Sequence, residues 1–232
     1  MAKNYYQPEI ETMPLEELQK LQSERLVEQV KFVYDNVKFY HDKMDEAGVK
    51  PEDIKAGLES IQSVPGRIEM LPTGTPYKVI LDYSHVPEAL KNILLTVREF
   101  ARGRVIALFG CGGDRDRQKR PLMAEAAGRG ADYVILTSDN ARTEDPDAII
   151  TEAAAGLGPA VPHAVIRDRA EAIRFAVRMA ETGDTVLLAG KGHEKYEIRA
   201  DGMVPFDEEA IVRAAVRDRF GSRDGGGADN ER

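Results

Sequence analysis

Two kinds of hydrophobic pattern divide the chain. From Pro14 to about Gly48, Leu15, Leu18, Leu21, Leu26, Val30, Val33, Val37, Tyr40 and Met44 recur at three- and four-residue spacing with Glu, Lys and Gln between them. That is the stripe of an amphipathic helix, with a break near Asn36. Gly48-Val49-Lys50-Pro51 ends it, because glycine suits a helix C-cap and proline cannot continue the hydrogen-bond ladder. A boundary follows between Lys55 and Ser60. Beyond it, Tyr77 to Asp82, Val105 to Phe109, Tyr133 to Leu136, Ala164 to Ile166 and Thr185 to Leu188 are short, mostly continuous apolar runs, as parallel strands covered on both faces must be. Helical stretches alternate with them at Pro87 to Ala101, Arg120 to Gly128, Pro146 to Ala155 and Arg169 to Glu181. Asp145 before Pro146 predicts an N-cap, and Asp168 with Glu171 a capping box. The alternation predicts an α/β fold with a doubly wound, mostly parallel sheet. After Gly192 come a hairpin around Asp201-Gly202, a last helix from Asp207 to Phe220, and a Gly- and charge-rich tail read as disordered. The expected organisation is a helical leader (1–56), one α/β domain (57–220) and the tail (221–232).

Composition narrows the function. With 42% hydrophobic residues in 232, the chain can bury one good core. A formal net charge of -8 argues against nucleic acid as a partner, since such binding neutralises phosphates with Lys and Arg. Cys111 is the single cysteine, which excludes an intrachain disulfide and a cysteine-rich zinc site. No apolar run reaches the roughly 20 residues that span a bilayer, and no export signal opens the chain. A soluble, cytoplasmic protein that avoids membranes is expected.

In a doubly wound sheet, ligands bind at the carboxyl ends of the strands. Four loops there are unusually polar: Asp82-Tyr83-Ser84-His85, Gly110 to Asp116, Ser138 to Arg142, and Gly190-Lys191-Gly192-His193-Glu194. One such loop alone reads as a tight turn or a solvated surface, but four on one rim point to a site. Generic nucleotide motifs fail: Arg115 stands where a dinucleotide fingerprint needs its third glycine, and no phosphate-cradling P-loop occurs. Cys111 has no assignable base and Lys191 no assignable acidic partner, so neither is read as catalytic.

Val64-Pro65-Gly66-Arg67-Ile68-Glu69, Asp82 to Leu90, Phe109 to Asp116 with Lys119 to Met123, Thr137 to Arg142 with Glu144-Asp145-Pro146, and Ala189 to Glu194 resemble, in order, signatures of the C-terminal domain of the UDP-N-acetylmuramoyl-tripeptide synthetases, a Mur ligase family. The resemblance runs from about Gly57 to Phe220 and implies a Rossmann-like domain. It implies an ATP-dependent amide ligase that adds meso-diaminopimelate or lysine to UDP-N-acetylmuramoyl-L-alanyl-D-glutamate in peptidoglycan synthesis. By that resemblance Arg67, Asp82, Tyr83 and His85 contact the nucleotide, although a histidine at the position of His85 equally suits a helix cap. Arg115, Asp139, Asn140, Arg142, Gly190 and Glu194 match the positions that hold the incoming amino acid. A guanidinium fork suits a carboxylate, while Glu194 and the Gly190 carbonyl accept from an ammonium. Lysine has no carboxylate at its far end, so Arg142 favours diaminopimelate. Ala141 stands where the diaminopimelate-type motif has proline, which predicts a looser loop.

The leader has another resemblance. Tyr6 to Pro14, Asn36 to Tyr40 and Asp45 to Ile54 are similar to the opening of phenylacetate-coenzyme A ligase, but that family's phosphate loop and adenylate site have no counterpart, so no catalytic residue transfers. The two resemblances imply a chimera joined near Ala56. The expected function is that of a Mur ligase C-terminal domain, inactive alone without a P-loop partner. ATP and magnesium belong to the parent family, and neither is expected to bind tightly here. A stand-alone ligand-binding or scaffold module is the alternative, and an aryl-coenzyme A ligase remnant a third.

Overall fold

A computed structural model describes residues 13–50, 53, 54, 56, 57 and 64–221. Tyr6 to Thr12, residues 58–63 beside the expected join, and the tail from Ser222 lie outside them. The chain divides into two compact units, 1–62 and 63–232.

The first unit contains α1 (Leu15–Asn36) and α2 (Lys38–Glu46). The helix expected to break near Asn36 is interrupted at Val37, whose backbone is extended with φ -119° and ψ 95°. The Tyr34 hydroxyl donates to Asp45 Oδ1 at 2.7 Å across the hairpin. No described residue of α1 or α2 is buried.

The second unit contains β1 (Glu69–Met70), β2 (Lys78–Asp82), α3 (Pro87–Phe100), β3 (Val105–Phe109), α4 (Lys119–Gly130), β4 (Tyr133–Leu136), α5 (Pro146–Ala154), β5 (His163–Val165), α6 (Arg169–Met179), β6 (Thr185–Ala189), β7 (Tyr196–Arg199), β8 (Gly202–Pro205) and α7 (Glu208–Phe220). Six strands form one sheet in the order β1-β2-β6-β3-β4-β5. All its pairs are parallel except β1 with β2. β1, too short to show a periodic pattern, had no counterpart in the sequence reading. β7 and β8 form the expected hairpin.

Each central strand serves two cores. Val105, Ala107 and Phe109 pack with Leu90, Ile93, Leu94 and Val97 of α3 and with residues of α4 and α5. The alternate residues Ile106 and Leu108 pack with Ala172, Ile173, Ala176 and Val177 of α6 and with Val212 of α7. Period-two alternation thus sends successive apolar side chains to opposite faces, both covered by helices, which is why the strands read as unbroken apolar runs. Asp145 caps α5 by accepting from Asp147 N, and Asp168 caps α6 by accepting from Glu171 N. The capping box is incomplete: Glu171 turns its carboxylate to Arg174 at 2.6 Å rather than back to the cap.

Register places the site. Asp82 and Phe109 both pair with Ala189, and Phe109 also pairs with Leu136. The ends of β2, β6, β3 and β4 are therefore level, and the four polar loops leave the sheet along one edge.

Candidate amino-acid site

The four loops enclose a cavity of about 280 Å³. Tyr83, His85, Arg115, Asp139, Asn140, Arg142, Gly190 and Glu194 line it, joined by Val86, Gly110, Cys111, Gly112 and Lys119. Two expected residues stand apart. Asp82 is buried, and its carboxylate accepts from Ile68 N at 2.9 Å, from Ser84 N at 2.8 Å and from the Ser84 hydroxyl. Those bonds make it an anchor for the loop after β2. Arg67 is exposed, with its guanidinium 4.8 Å from the centre of the Tyr83 ring.

Close backbone approach stitches the loops together. Gly113 N donates to Asn140 O at 2.9 Å, and a β-carbon on Gly113 would overlap the Ala141 carbonyl. Arg142 N donates to Ile198 O at 3.0 Å, and Ile198 N to Asn140 Oδ1 at 2.9 Å. Ala141, where looser backbone was expected, is buried in the core with Ile149, and these bonds hold its neighbours. Arg142 adopts a left-handed backbone with φ 54°, a cost the bonds on either side offset.

Charge is distributed unevenly around the cavity. Arg142 donates from Nη1 to the carbonyls of Gly113 (2.8 Å) and Asn140 (3.2 Å) and pairs with no carboxylate among the described residues. Arg115 is exposed and has no polar partner among them. Lys119 donates to the carbonyl of His85 at 3.0 Å. Glu194, also on the lining, accepts from Tyr83 Oη at 3.3 Å and Asn140 Nδ2 at 3.0 Å. Burial first, and then the Glu194 carboxylate, raise the Tyr83 phenol above its ordinary value, keeping it a donor.

Beneath this rim lies a buried polar layer. Lys191, fully buried, lies 3.1 Å from Asp139 Oδ1 and donates to Asn140 Oδ1 at 3.1 Å and Tyr196 O at 3.0 Å. Its acidic partner, which the sequence reading could not assign, is Asp139. Burial alone would raise the Asp139 carboxyl, but the charges of Lys191 and Arg169 outweigh it and hold the group below the usual carboxylate range. Arg169 reaches Glu208 Oε1 at 2.7 Å, Ser138 O at 3.2 Å and Ala189 O at 2.9 Å. It therefore ties the ends of β4 and β6 to α7.

Cys111, not read as catalytic, is inert for a visible reason. Burial pushes the Cys111 thiol up to about 12, so no thiolate forms near neutrality. His85 Nδ1 lies 2.8 Å from Tyr83 O, and α3 starts at Val86 with no side-chain cap, which removes the capping role.

A family model described as Mur ligase, glutamate ligase domain, matches residues 66–192, more than half of the chain. The chain belongs to this family. The UDP-N-acetylmuramoyl-L-alanyl-D-glutamate--2,6-diaminopimelate ligase of Geobacillus kaustophilus is 48% identical over 174 residues, covering 75% of this chain and 36% of the relative. The enzyme of that name from Syntrophomonas wolfei is 46% identical, covering 74% and 36%. A solved structure of such a ligase superimposes with a TM-score of 0.65 at 38% identity, covering 77% of this chain and 37% of that one. The chain thus spans about a third of the length of these relatives.

Within the Mur ligase domain, sequence reasoning missed Lys119, Arg169 and Glu208, and it dismissed Lys191. Lys119 carried a signal, lying within the Lys119 to Met123 motif. Arg169 follows a helix cap and Glu208 opens a helix, positions where charge is ordinarily solvated, so nothing in their spacing shows that they meet.

Proposed function

We propose that the α/β unit is the amino-acid-holding part of a ligase that adds meso-diaminopimelate to UDP-N-acetylmuramoyl-L-alanyl-D-glutamate. The observation that carries the reading is the unpaired charge on the cavity lining: Arg115 and Arg142 lack carboxylate partners, and Glu194 lacks a cation, among the described residues. A zwitterionic end fits this arrangement, with its carboxylate on the guanidiniums and its ammonium on Glu194 and the Gly190 carbonyl. The second amine of diaminopimelate then stays free to attack an activated acyl group. The names of the matched relatives support the choice of amino acid.

For the nucleotide, Arg67, Tyr83 and His85 supply one wall, a cation over an aromatic ring with a second ring 4.7 Å away. Bound ATP would supply the phosphoryl group that activates the acceptor carboxylate. Phosphate cradling falls to a glycine-rich loop absent from this sequence, so another domain or chain must provide it. The described residues contain no group of three or more His, Cys, Asp or Glu that could hold a metal ion. No described helix is long and apolar enough to cross a membrane, and we place the function in the cytoplasm, where the nucleotide precursor would be met. For the leader, the resemblance to phenylacetate-coenzyme A ligase implies a helical appendage without catalytic residues.

Titration of the isotope-labelled protein by NMR tests the reading. Meso-diaminopimelate should shift the signals of Arg115, Arg142 and Glu194 more than lysine does. Arg142→Ala should weaken binding by about ten- to a hundred-fold, the value of a charge-assisted hydrogen bond. Equal responses to both amino acids, or binding unaffected by Arg142→Ala, would refute it.

A further inference from the structure

We infer that Lys191 is a positioning residue that sets the orientation of the Asn140 side chain and, through it, the Glu194 carboxylate. The inference rests on the reading of Glu194 as the acceptor of the substrate ammonium.

A primary amide has an accepting end and a donating end, and its neighbours decide which way each faces. Two groups converge on one end of Asn140: the Lys191 ammonium at 3.1 Å and the Ile198 N–H at 2.9 Å. Both can only donate, so that end must be Oδ1. The flipped amide would set its NH2 against an ammonium and an N–H, and would turn an oxygen on the Glu194 carboxylate. The donating end therefore faces Glu194, with Nδ2 3.0 Å from Oε2.

The consequence is a carboxylate that is oriented yet not neutralised. Asn140 holds one oxygen of Glu194 and Tyr83 Oη the other, at 3.3 Å. Both donors are uncharged, so the negative charge is left for an incoming cation. Lys191 pairs its own charge with Asp139 at 3.1 Å. Full burial prevents Lys191 from touching a ligand itself. Backbone conformation makes this division possible: Gly190 and Gly192 have φ of 115° and 52°, values that glycine adopts freely. Lys191 thus points inward while Gly190 and Glu194 line the cavity.

The test compares meso-diaminopimelate with pimelate, which keeps both carboxylates and lacks both ammonium groups. Native protein should prefer meso-diaminopimelate by at least about tenfold, a charge-assisted hydrogen bond's worth. Lys191→Met should abolish most of that preference while leaving pimelate affinity within about threefold, because the guanidiniums are untouched. Equal losses for both ligands would show a merely structural role and overturn the inference. The double change Asp139→Asn with Lys191→Met leaves no stranded buried charge and covers the case in which the single variant does not fold. It should lose the preference too, and a retained preference overturns the inference. Without ligand, the Asn140 side-chain amide signals should be slow to exchange in native protein and fast in either variant. If native protein binds neither ligand, the diaminopimelate reading fails, and the Asn140 amide alone decides the positioning role: unchanged signals reject it.

Discussion

The leader hairpin and the α/β unit draw on the same kind of apolar periodicity with different outcomes. In α3, Leu90, Ile93, Leu94 and Val97 are all at most 5% exposed. In the leader no described residue is buried, and Phe32 and Phe39 are 58% and 63% exposed. An apolar stripe at helical spacing commits a segment to a helix, but its burial needs an opposing surface. The level-ended parallel sheet supplies that surface to α3 and its neighbours. Stability should therefore be concentrated in the second unit, and three measurements bear on this.

The largest effect is expected at the buried ion pair. Arg169→Leu strands Glu208, whose side chain is 1% exposed and whose Oε2 already lacks a hydrogen-bond partner. Breaking such a pair costs about 3–5 kcal/mol. Urea unfolding followed by near-UV circular dichroism should show it, and a loss comparable to a surface change would contradict the assigned role.

A second measurement uses acid. Glu144 is held down to about 2, first by its hydrogen bond from Arg120 and then by one from the Asp114 N–H, against an ordinary value of 4.5. A lowered folded-state value means that this contribution is complete above pH 4.5 and fades as pH falls towards 2. Glu144→Gln should flatten the fall in stability across that window. An unchanged acid limb would show that the Arg120–Glu144 contact does not persist in solution.

The smallest effect is expected in the leader. Phe39→Ala should change stability by less than about 0.5 kcal/mol, as for exposed positions generally, and residues 63–232 alone should melt as the full chain does. A cost of several kcal/mol for Phe39→Ala would mean that the leader has a partner surface, and the contrast between the units would collapse.

Much of the second unit was legible because local patterns carry it. Strands β2, β3, β4 and β6 announced themselves as apolar runs, the helices as stripes with Asp145 and Asp168 as caps, and the rim as four polar loops in family order. What escaped shares one physical cause. The partner of a charged side chain is set by register and crossover, which linear spacing does not express. Lys191 looked unpaired because Asp139 stands 52 positions away in sequence, on the loop after β4, which lies beyond β3 from β6 and comes near it only once β6 inserts between β2 and β3. The motif around Asp82 suggested ligand contact, whereas the fold turns that carboxylate inward onto Ile68 and Ser84.

By itself the sequence determined the α/β class, the order of elements, the family and the set of residues that meet at the strand ends, because periodicity and motif order are local properties. Only the tertiary structure decided which of those residues face the cavity and which brace it from below. It buried Lys191, Arg169 and Asp82 and left Arg115, Arg142 and Glu194 at the cavity, because burial and charge pairing depend on segments that the chain brings together from far apart.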